Sequence, residues 1–176
     1  MSSIEVIENF LKDSDFQELR KFFLSPRSQW RFIDFVVSKE KDNQKKDGYF
    51  VHSFRDLHPT TFEDRFPISP NINVLEKIIE EIKKKIKFKQ ILRIRSSLFP
   101  RREYQEPDAF HVDYKFEHKV CIFYVNSNNG YTLFKSGEKV DSVANRLLIF
   151  DGLKEHCTVV QTDVSARYII NFNLLI

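Results

Sequence analysis

The sequence predicts a mainly β protein with flanking helices, and three of its features carry that prediction. Residues 1–89 contain two amphipathic helical patterns, whereas residues 90–176 contain short runs of β-branched and aromatic residues. Turn-forming residues separate these runs, so each predicted strand is short. Seven such strands after two helices favour a double-stranded β-helix, or jelly roll, with the N-terminal helices packed on one outer face.

The first helix is predicted over Asp13–Phe23. Apolar residues at positions 16, 19 and 23 fall on one face of a helix that has about 3.6 residues per turn. Ser14 followed by Gln17 matches the capping-box pattern, in which two side chains bond the free backbone N–H groups at the helix start. We therefore expect Ser14 to cap this helix.

The second helix is predicted from Asn73 to about Phe88. Its lysine-rich C-terminal end suits the negative end of the helix dipole and is expected to be solvated. Its apolar residues recur at three- and four-residue spacing and should face a core. They are Leu75, Ile78, Ile79, Ile82 and Ile86.

The segment between the helices has no helical periodicity. Gln29–Ser38 is apolar and favours extended structure, and Lys39–Gly48 is a charged, solvated loop. Prolines at positions 59, 67 and 70 interrupt the residues that follow. We expect loops from Lys39 to Pro70.

Residues 90–176 are predicted to form the β-helix core, with residues 1–89 as helical and mixed support within one domain of residues 1–176. The loops at residues 126–130 and 135–137 are rich in turn residues. The predicted strands are Ile91–Phe99, Ala109–Asp113, Lys119–Val125, Tyr131–Phe134, Arg146–Phe150, Glu155–Gln161 and Ala166–Leu174.

Composition sets few limits on function. The net charge of +3 is small and the basic excess lies mainly in the second helix, so a nucleic-acid partner is not indicated. Cys121 and Cys157 form neither a disulfide framework nor a CxxC pair, which fits a reducing compartment. No apolar run approaches the ~18 residues of a membrane span, and the polar start lacks a signal-peptide pattern. We therefore expect a cytoplasmic protein without a membrane segment.

His111 and Asp113 are the first candidate metal ligands. Side chains at positions i and i+2 of a β-strand point to the same face, so these two groups could converge on one metal ion. His156, in a later strand, would complete a set of two histidines and one carboxylate, which is typical of non-haem Fe(II) sites with open coordination positions. Because His-x-Asp is a short pattern that chance often supplies, the assignment depends on the surrounding sequence. His52, His58 and His118 are expected to have structural roles, with His118 in a solvated turn.

Residues 119–176 contain several motifs in a fixed order. They are the strand Val120–Asn126 ending in Tyr-Val-Asn, the Gly turn and strand of Asn129–Phe134, the Arg-Leu strand Asn145–Asp151, and His156 followed by Arg167 in a final strand. In this order they resemble the 2-oxoglutarate- and Fe(II)-dependent dioxygenases of the prolyl-hydroxylase-like branch, and are similar to its small phage and marine-bacterial members. The resemblance covers residues 90–176 well and the N-terminal helix loosely.

The resemblance implies an oxygenase that hydroxylates a C–H bond while O₂ and 2-oxoglutarate are converted to succinate and CO₂. His111, Asp113 and His156 would hold Fe(II). Arg167 would bind the distal carboxylate of 2-oxoglutarate, for which a planar guanidinium is well suited. Tyr124 would hydrogen-bond the same carboxylate. Asn171 and Asn173 share the face of Arg167 by strand alternation; Asn173 is a weaker candidate for the co-substrate pocket, with core hydrogen bonding an equal alternative.

Two positions depart from the family pattern. Phe99 precedes Pro100 where the branch often has tyrosine, and Tyr131 occupies the second position of a Gly-Gly turn. Neither is a predicted metal ligand, but both weaken the transfer of substrate preference. The expected substrate is a protein or peptide side chain such as proline. The alternatives are the same chemistry on a free amino acid, a small metabolite or a methylated nucleobase, and a cupin-like binding module without turnover.

Overall fold

Two antiparallel β-sheets that face each other form the body of the molecule in this computed structural model, which describes residues 4–34 and 48–176. The helices are α1 (Asp13–Phe23) and α2 (Glu76–Lys85), with a 3₁₀ turn at Ile72–Leu75 directly before α2. The strands are β1 (Glu5–Ile7), β2 (Arg31–Ile33), β3 (Tyr49–Asp56), β4 (Gln90–Pro100), β5 (Lys119–Tyr124), β6 (Tyr131–Phe134), β7 (Lys139–Asp141), β8 (Arg146–Asp151), β9 (His156–Val159) and β10 (Ala166–Leu175).

The larger sheet has seven strands in the order β1-β8-β5-β10-β4-β3-β2. Both of its faces are covered, and strand alternation divides its side chains between them. On β10, Ile170 and Phe172 belong to the outer apolar cluster, whereas Ile169 belongs to the inner one. The outer cluster includes the buried faces of α1 and α2. Both helices therefore pack on one outer face of the sheet, as predicted.

The smaller sheet has three strands in the order β7-β6-β9 and faces the inner side of the larger sheet. Phe134 of β6 contacts Phe150 of β8 edge-on, with ring centroids 4.9 Å apart, and so joins the two sheets. Tyr124 of β5 also hydrogen-bonds Thr132 of β6 across the gap, at 2.8 Å. The predicted double-stranded β-helix is confirmed. Several polar side chains lie between its two sheets.

The first helix has the predicted bounds but a different start. Its N-cap position is Lys12, which makes no side-chain capping bond, and Gln17 Nε2 donates instead to Asp13 Oδ1 at 3.2 Å. Ser14 lies inside the first turn, so the predicted capping box is wrong. Phe16, Leu19, Phe22 and Phe23 are buried, which confirms the apolar face.

The second helix is shorter than predicted. Residues 72–75 form a 3₁₀ turn, a common start for an α-helix, and the α-helical part ends at Lys85. Ile86 is extended because the chain must cross to β4, and Lys89 N–H already donates to the carbonyl of Leu175. Leu75, Ile78 and Ile82 are almost fully buried, which confirms the predicted stripe.

Several strand predictions need correction. Strands β1, β3 and β7 were not predicted, and β3 lies in the stretch expected to be loops. The predicted strand Ala109–Asp113 is irregular, with one isolated bridge between His111 and His156. In Gln29–Ser38 the structure shows the strand Arg31–Ile33. Residues 35–38, and residues 39–47 of the predicted loop Lys39–Gly48, lie outside the described residues.

Residues 1–89 contribute more than support to the fold. β1 pairs with β8 at one edge of the larger sheet, and β3 pairs with β4 toward the other edge. The larger sheet therefore includes strands from both sides of residue 89, the predicted boundary between the helical support and the β-helix core. Among the described residues, no helix is both long and apolar enough to span a membrane.

Candidate metal and co-substrate site

A cavity of about 230 Å³ lies between the two sheets. One wall is the inner face of β4 and β10, the opposite wall is β9 with Thr132 of β6, and the irregular segment around His111 closes one side. Its lining residues are Tyr49, Arg93, Arg95, Ser97, Phe99, His111, Val112, Asp113, Ile122, Thr132, His156, Cys157, Thr158, Ile169 and Asn171. Three of the predicted site residues, His111, Asp113 and His156, thus share one cavity.

His111 and His156 are brought together by their backbones. The N–H of each donates to the carbonyl of the other at 3.0 Å, and the two rings lie 4.7 Å apart. Nδ1 of His111 lies 3.2 Å from the carbonyl of Ala109, and Nδ1 of His156 lies 3.0 Å from that of Lys154. A carbonyl oxygen only accepts, so each Nδ1 carries the proton and each Nε2 keeps a lone pair for a metal. This bridge, rather than the predicted extended strand, places His111.

Asp113 is held by three neighbouring side chains. Arg93 Nη2 donates to its Oδ1 at 2.6 Å, and Asn171 and Asn173 donate to its Oδ2 at 3.2 and 2.7 Å. His111 Nε2 lies 4.0 Å from Oδ1. Within the described part of the chain, no three His, Cys, Asp or Glu side chains are arranged as a closed metal cluster.

The protonation states of the ligands suit a metal ion. Burial lowers the pKa of His156 to about 4, against the opposing pull of Asp113, so this ring is neutral near pH 7. Burial opposes the ionisation of Asp113, but Arg93, followed by His156 and His111, outweighs it and holds the pKa of that carboxyl well below its usual range. A lone pair on His156 and a full charge on Asp113 are what Fe(II) requires of its ligands. The residues present therefore fit the predicted metal.

Arg167 does not line the cavity itself but contacts Thr158 and Phe99, which do. Its side chain is completely buried, and its Nε and Nη1 donate to Ser142 Oγ at 2.7 Å and Thr158 Oγ1 at 2.5 Å. Its Nη2 has no hydrogen-bond partner, and among the described residues no carboxylate is ion-paired with it. Burial lowers the pKa of Arg167. An anion that accepted a hydrogen bond from Nη2 would stabilise this buried guanidinium.

Tyr124 lies beside Arg167, as the resemblance implies. The guanidinium carbon of Arg167 is 5.8 Å from the centre of the Tyr124 ring. Burial raises the pKa of Tyr124, so its hydroxyl is a neutral hydrogen-bonding group, and it is engaged with Thr132 at 2.8 Å. Its contact with a co-substrate stays a prediction.

Asn173 contacts the metal side of the site rather than Arg167. Its amide holds Asp113, and the same is true of Asn171, so both asparagines orient a candidate ligand. Arg93 and Thr158 also line the cavity but were not predicted from the sequence. Thr158 carried a signal, since it lies two residues after His156 on a strand, whereas the contact of Arg93 with Asp113 depends on a non-local approach.

The remaining histidines have structural roles. His52 is buried and its ring bonds the Gln29 carbonyl and Ser69 Oγ, which confirms a core histidine. His58 accepts the backbone N–H groups of Thr60 and Thr61 in an exposed turn. His118 is almost fully buried and packs over Gly152, so its prediction as a solvated turn residue is wrong.

Several solved structures have the same architecture as this chain. A prolyl hydroxylase from Trichoplax adhaerens, in complex with a hypoxia inducible factor oxygen degradation domain peptide fragment, matches with a TM-score of 0.66 and 13% identity over 98% of this chain and 83% of that one. A protein of the 2OG-Fe(II) oxygenase family from Burkholderia pseudomallei matches with a TM-score of 0.72 and 7% identity over 98% and 84%. A prolyl-4-hydroxylase from Pseudomonas putida matches with a TM-score of 0.60 and 11% identity over 100% and 94%.

The likeness is one of structure rather than of sequence. No protein-family model and no curated protein matches the chain. The structural matches span nearly the whole chain, including the N-terminal residues that the sequence motifs do not cover. The chain shares the double-stranded β-helix fold of these two prolyl hydroxylases and this 2OG-Fe(II) oxygenase family protein.

Proposed function

We propose that this chain is a 2-oxoglutarate- and Fe(II)-dependent oxygenase that hydroxylates a C–H bond. One observation carries the proposal: a fully buried guanidinium with an unpartnered Nη2 contacts Thr158 and Phe99, which line a cavity that also holds two histidines and a carboxylate. An α-keto acid with a distal carboxylate has the complementary shape, since one end chelates a metal and the other carries an anion. Burying a guanidinium costs free energy, and two hydroxyl partners without a carboxylate offset that cost only in part.

His111, Asp113 and His156 would hold the iron. The two Nε2 lone pairs are available, whereas Asp113 Oδ1 is bonded to Arg93. A divalent cation attracts the carboxylate more strongly than one guanidinium does, so the metal would take Asp113 Oδ1 from Arg93 or share it. Asn171 and Asn173 would keep the other oxygen in place and so limit the rotation of the carboxylate.

Arg167 would hold the distal carboxylate of 2-oxoglutarate. The route from the cavity to its guanidinium passes Thr158 and Phe99, both of which line the cavity. The Thr158 hydroxyl would turn from Arg167 or share the carboxylate with it. Ile122 and Ile169 form apolar walls between the two ends, which keeps water from the co-substrate.

With Fe(II), 2-oxoglutarate and O₂ bound, such a site supplies an oxidant that hydroxylates a C–H bond and releases succinate and CO₂. The Trichoplax structure holds a peptide fragment and the Pseudomonas protein is a prolyl-4-hydroxylase. This supports a peptide side chain such as proline as the substrate. A free amino acid, a small metabolite or a methylated nucleobase remains an alternative with the same chemistry. Succinate formation separates all of these from a cupin-like binding module.

Replacing Arg167 tests the proposal. We expect Arg167→Leu to raise the KM for 2-oxoglutarate about tenfold to a hundredfold, because a charge-assisted pair loses one partner. Succinate formation and the visible charge-transfer band of the Fe(II)–2-oxoglutarate chelate under argon are measured together. His156→Ala should abolish the band.

The matched control is Arg146→Leu. Arg146 bonds Glu8 and the carbonyl of Asp141, outside the cavity, so its loss should leave the KM for 2-oxoglutarate unchanged. A wild-type chelate band that persists in air with no succinate formed would contradict an oxygenase and favour a binding module. An unchanged KM in Arg167→Leu would show that another group holds the co-substrate.

A further inference from the structure

Arg93 and Arg95 line the cavity beside the candidate metal ligands. They are two positions apart on β4, so both side chains point to the inner face of the larger sheet. Phe99, on the same face of β4, is the cross-strand partner of Arg167. The inner face therefore runs from the co-substrate arginine at one end to a pair of arginines at the other.

The arginine pair carries more charge than its neighbours balance. Arg93 Nη2 lies 2.6 Å from Asp113, and Arg95 Nη2 lies 3.5 Å from Asp56, which also lies 3.7 Å from Arg65 Nη1. Three guanidinium groups thus share two carboxylates. The Nε atoms of Arg93 and Arg95 are buried and have no hydrogen-bond partner. Each arginine therefore has one hydrogen-bond donor without a partner.

The imbalance grows when Asp113 binds a metal, because its charge is then shared with the cation. If the metal displaced Arg93 from Oδ1, Asp113 would still accept two hydrogen bonds at its other oxygen, from Asn171 and Asn173. Its side chain is only 15% exposed. If a metal took the Asp113 carboxylate from it, a guanidinium this poorly solvated would cost free energy unless another anion contacted it.

We propose, building on the function proposed above, that Arg93 and Arg95 bind a carboxylate of the prime substrate. The substrate class is then an acid whose hydroxylated carbon lies within a few bonds of that carboxylate, because Arg93 contacts the metal ligand Asp113 itself. Two guanidinium groups offer the planar donors that a carboxylate accepts. The carboxylate comes either from a free amino acid or from an acidic residue of a peptide beside the target residue.

Matched acids and amides test this inference. Free amino acids are each compared with their α-amides, and blocked tripeptides containing Pro-Glu are compared with those containing Pro-Gln. Dissociation constants are measured by NMR titration of the metal-free protein, and again under argon with Fe(II) and saturating 2-oxoglutarate. We expect the acid of one panel to bind more tightly than its amide. The panel that shows the preference identifies the source of the carboxylate.

Arg95→Gln is the decisive variant, because Arg95 has no bond to Asp113 among the described contacts. It should raise the dissociation constant of the acid about tenfold to a hundredfold and leave that of the amide unchanged. Arg93→Gln should do the same. Arg101→Gln is the matched control, since Arg101 is exposed, directly follows β4 and does not line the cavity. It should keep the acid preference.

The inference is overturned if no acid binds more tightly than its amide, or if the preference survives in both Arg93→Gln and Arg95→Gln. Normal chelate formation and succinate release in the same preparations would then leave the oxygenase function standing. If iron or 2-oxoglutarate fails to bind, the oxygenase function fails, and the titration of the metal-free protein still decides whether the arginines select a carboxylate.

Discussion

His156 is a buried histidine whose ring is neutral at pH 7, with its Nε2 lone pair available to a metal. Its Nδ1 is fixed by the Lys154 carbonyl, and its backbone is fixed by the bridge to His111. Only 4% of the residue is exposed, and burial disfavours the protonated ring more than Asp113 favours it. The lone pair on Nε2 is therefore present without a competing proton at neutral pH.

The lowered pKa of His156 has a consequence for stability. We predict that burial lowers the pKa of the His156 ring in the metal-free protein to about 4, from the value of 6.5 that is usual for an exposed histidine. As pH falls from 6.5 toward 4, the unfolded chain takes up a proton that the folded chain does not. The contribution of the neutral His156 ring to the free energy of unfolding is therefore complete above pH 6.5, and it is lost as the pH falls toward 4.

NMR titration of the His156 ring and urea unfolding at several pH values measure the two effects. His156→Gln, which does not titrate, is the control and should show a weaker loss of stability between pH 6.5 and 4. A ring that titrates near 6.5 in the folded protein would contradict the prediction.

The sequence predicted the candidate ligands but not their surroundings. His111, Asp113, His156 and Arg167 stand in motifs of local sequence, and the structure brings the first three to one cavity. Arg93 was missed because its contact with Asp113 joins two segments 20 residues apart. Two cations at alternate positions of a strand with otherwise apolar neighbours were the available signal.

At the scale of elements, local patterns predicted helices better than strands. The stripe of α1 is contained in eleven consecutive residues, so its bounds were predicted correctly. β3 was missed because both of its faces are covered: Val51 is buried toward the inside and Phe54 toward the helices. Such a strand lacks the apolar–polar alternation of a half-exposed one. Its polar His52 is satisfied by Gln29 and Ser69, which lie far away in sequence.

Aromatic side chains pack helix α1 against strand β3 of the larger sheet. Phe23 is 1% exposed and its ring centroid lies 6.1 Å from that of Phe54 on β3. We predict that Phe23→Ala lowers the free energy of unfolding by about 3–5 kcal/mol, the usual cost of truncating a buried phenylalanine. Urea denaturation measures the change.

Glu18→Ala is the control on the exposed face of α1 and should change stability by less than about 0.5 kcal/mol. A loss below about 1 kcal/mol in Phe23→Ala would show that α1 contributes little to the outer core. Phe23→Leu should lie between the two variants, because it keeps part of the buried apolar volume.

At the scale of the whole molecule, the N-terminal part of the chain completes the sheet that carries the site. β1 covers the edge strand β8, and β2 and β3 extend the sheet beyond β4. Without them β8 and β4 would expose unpaired backbone groups, which favours aggregation. The sequence motifs lie almost entirely after residue 90, so they could not reveal this contribution. Strand pairing across more than a hundred residues is a property of the folded chain.

Asn145 ties the two parts of the chain together. Its side chain accepts the Leu11 N–H at 2.9 Å and donates to the Leu11 carbonyl at 2.8 Å, while its own carbonyl accepts the Phe10 N–H at 2.9 Å. Its φ of 62° lies in the left-handed region, which asparagine tolerates better than most residues. One residue thus serves both a turn before β8 and the start of the chain.

Two substitutions at Asn145 separate its hydrogen bonds from its backbone conformation. Asn145→Gly removes both side-chain bonds but suits the positive φ, so it should lower the free energy of unfolding by about 2 kcal/mol, or about 1 for each bond. Asn145→Ala should cost about 1 kcal/mol more, because a β-carbon disfavours the left-handed region. Urea denaturation of both variants and the wild type measures the difference. Equal stability of the two variants would contradict the predicted cost of the left-handed conformation, whereas wild-type stability in both would show that the N-terminal segment is held without Asn145.

Because β1 and α1 lie on either side of Leu11, loss of the hydrogen bonds between Asn145 and Leu11 should also raise hydrogen exchange in β1 before it does so in β10, the central strand that carries Arg167.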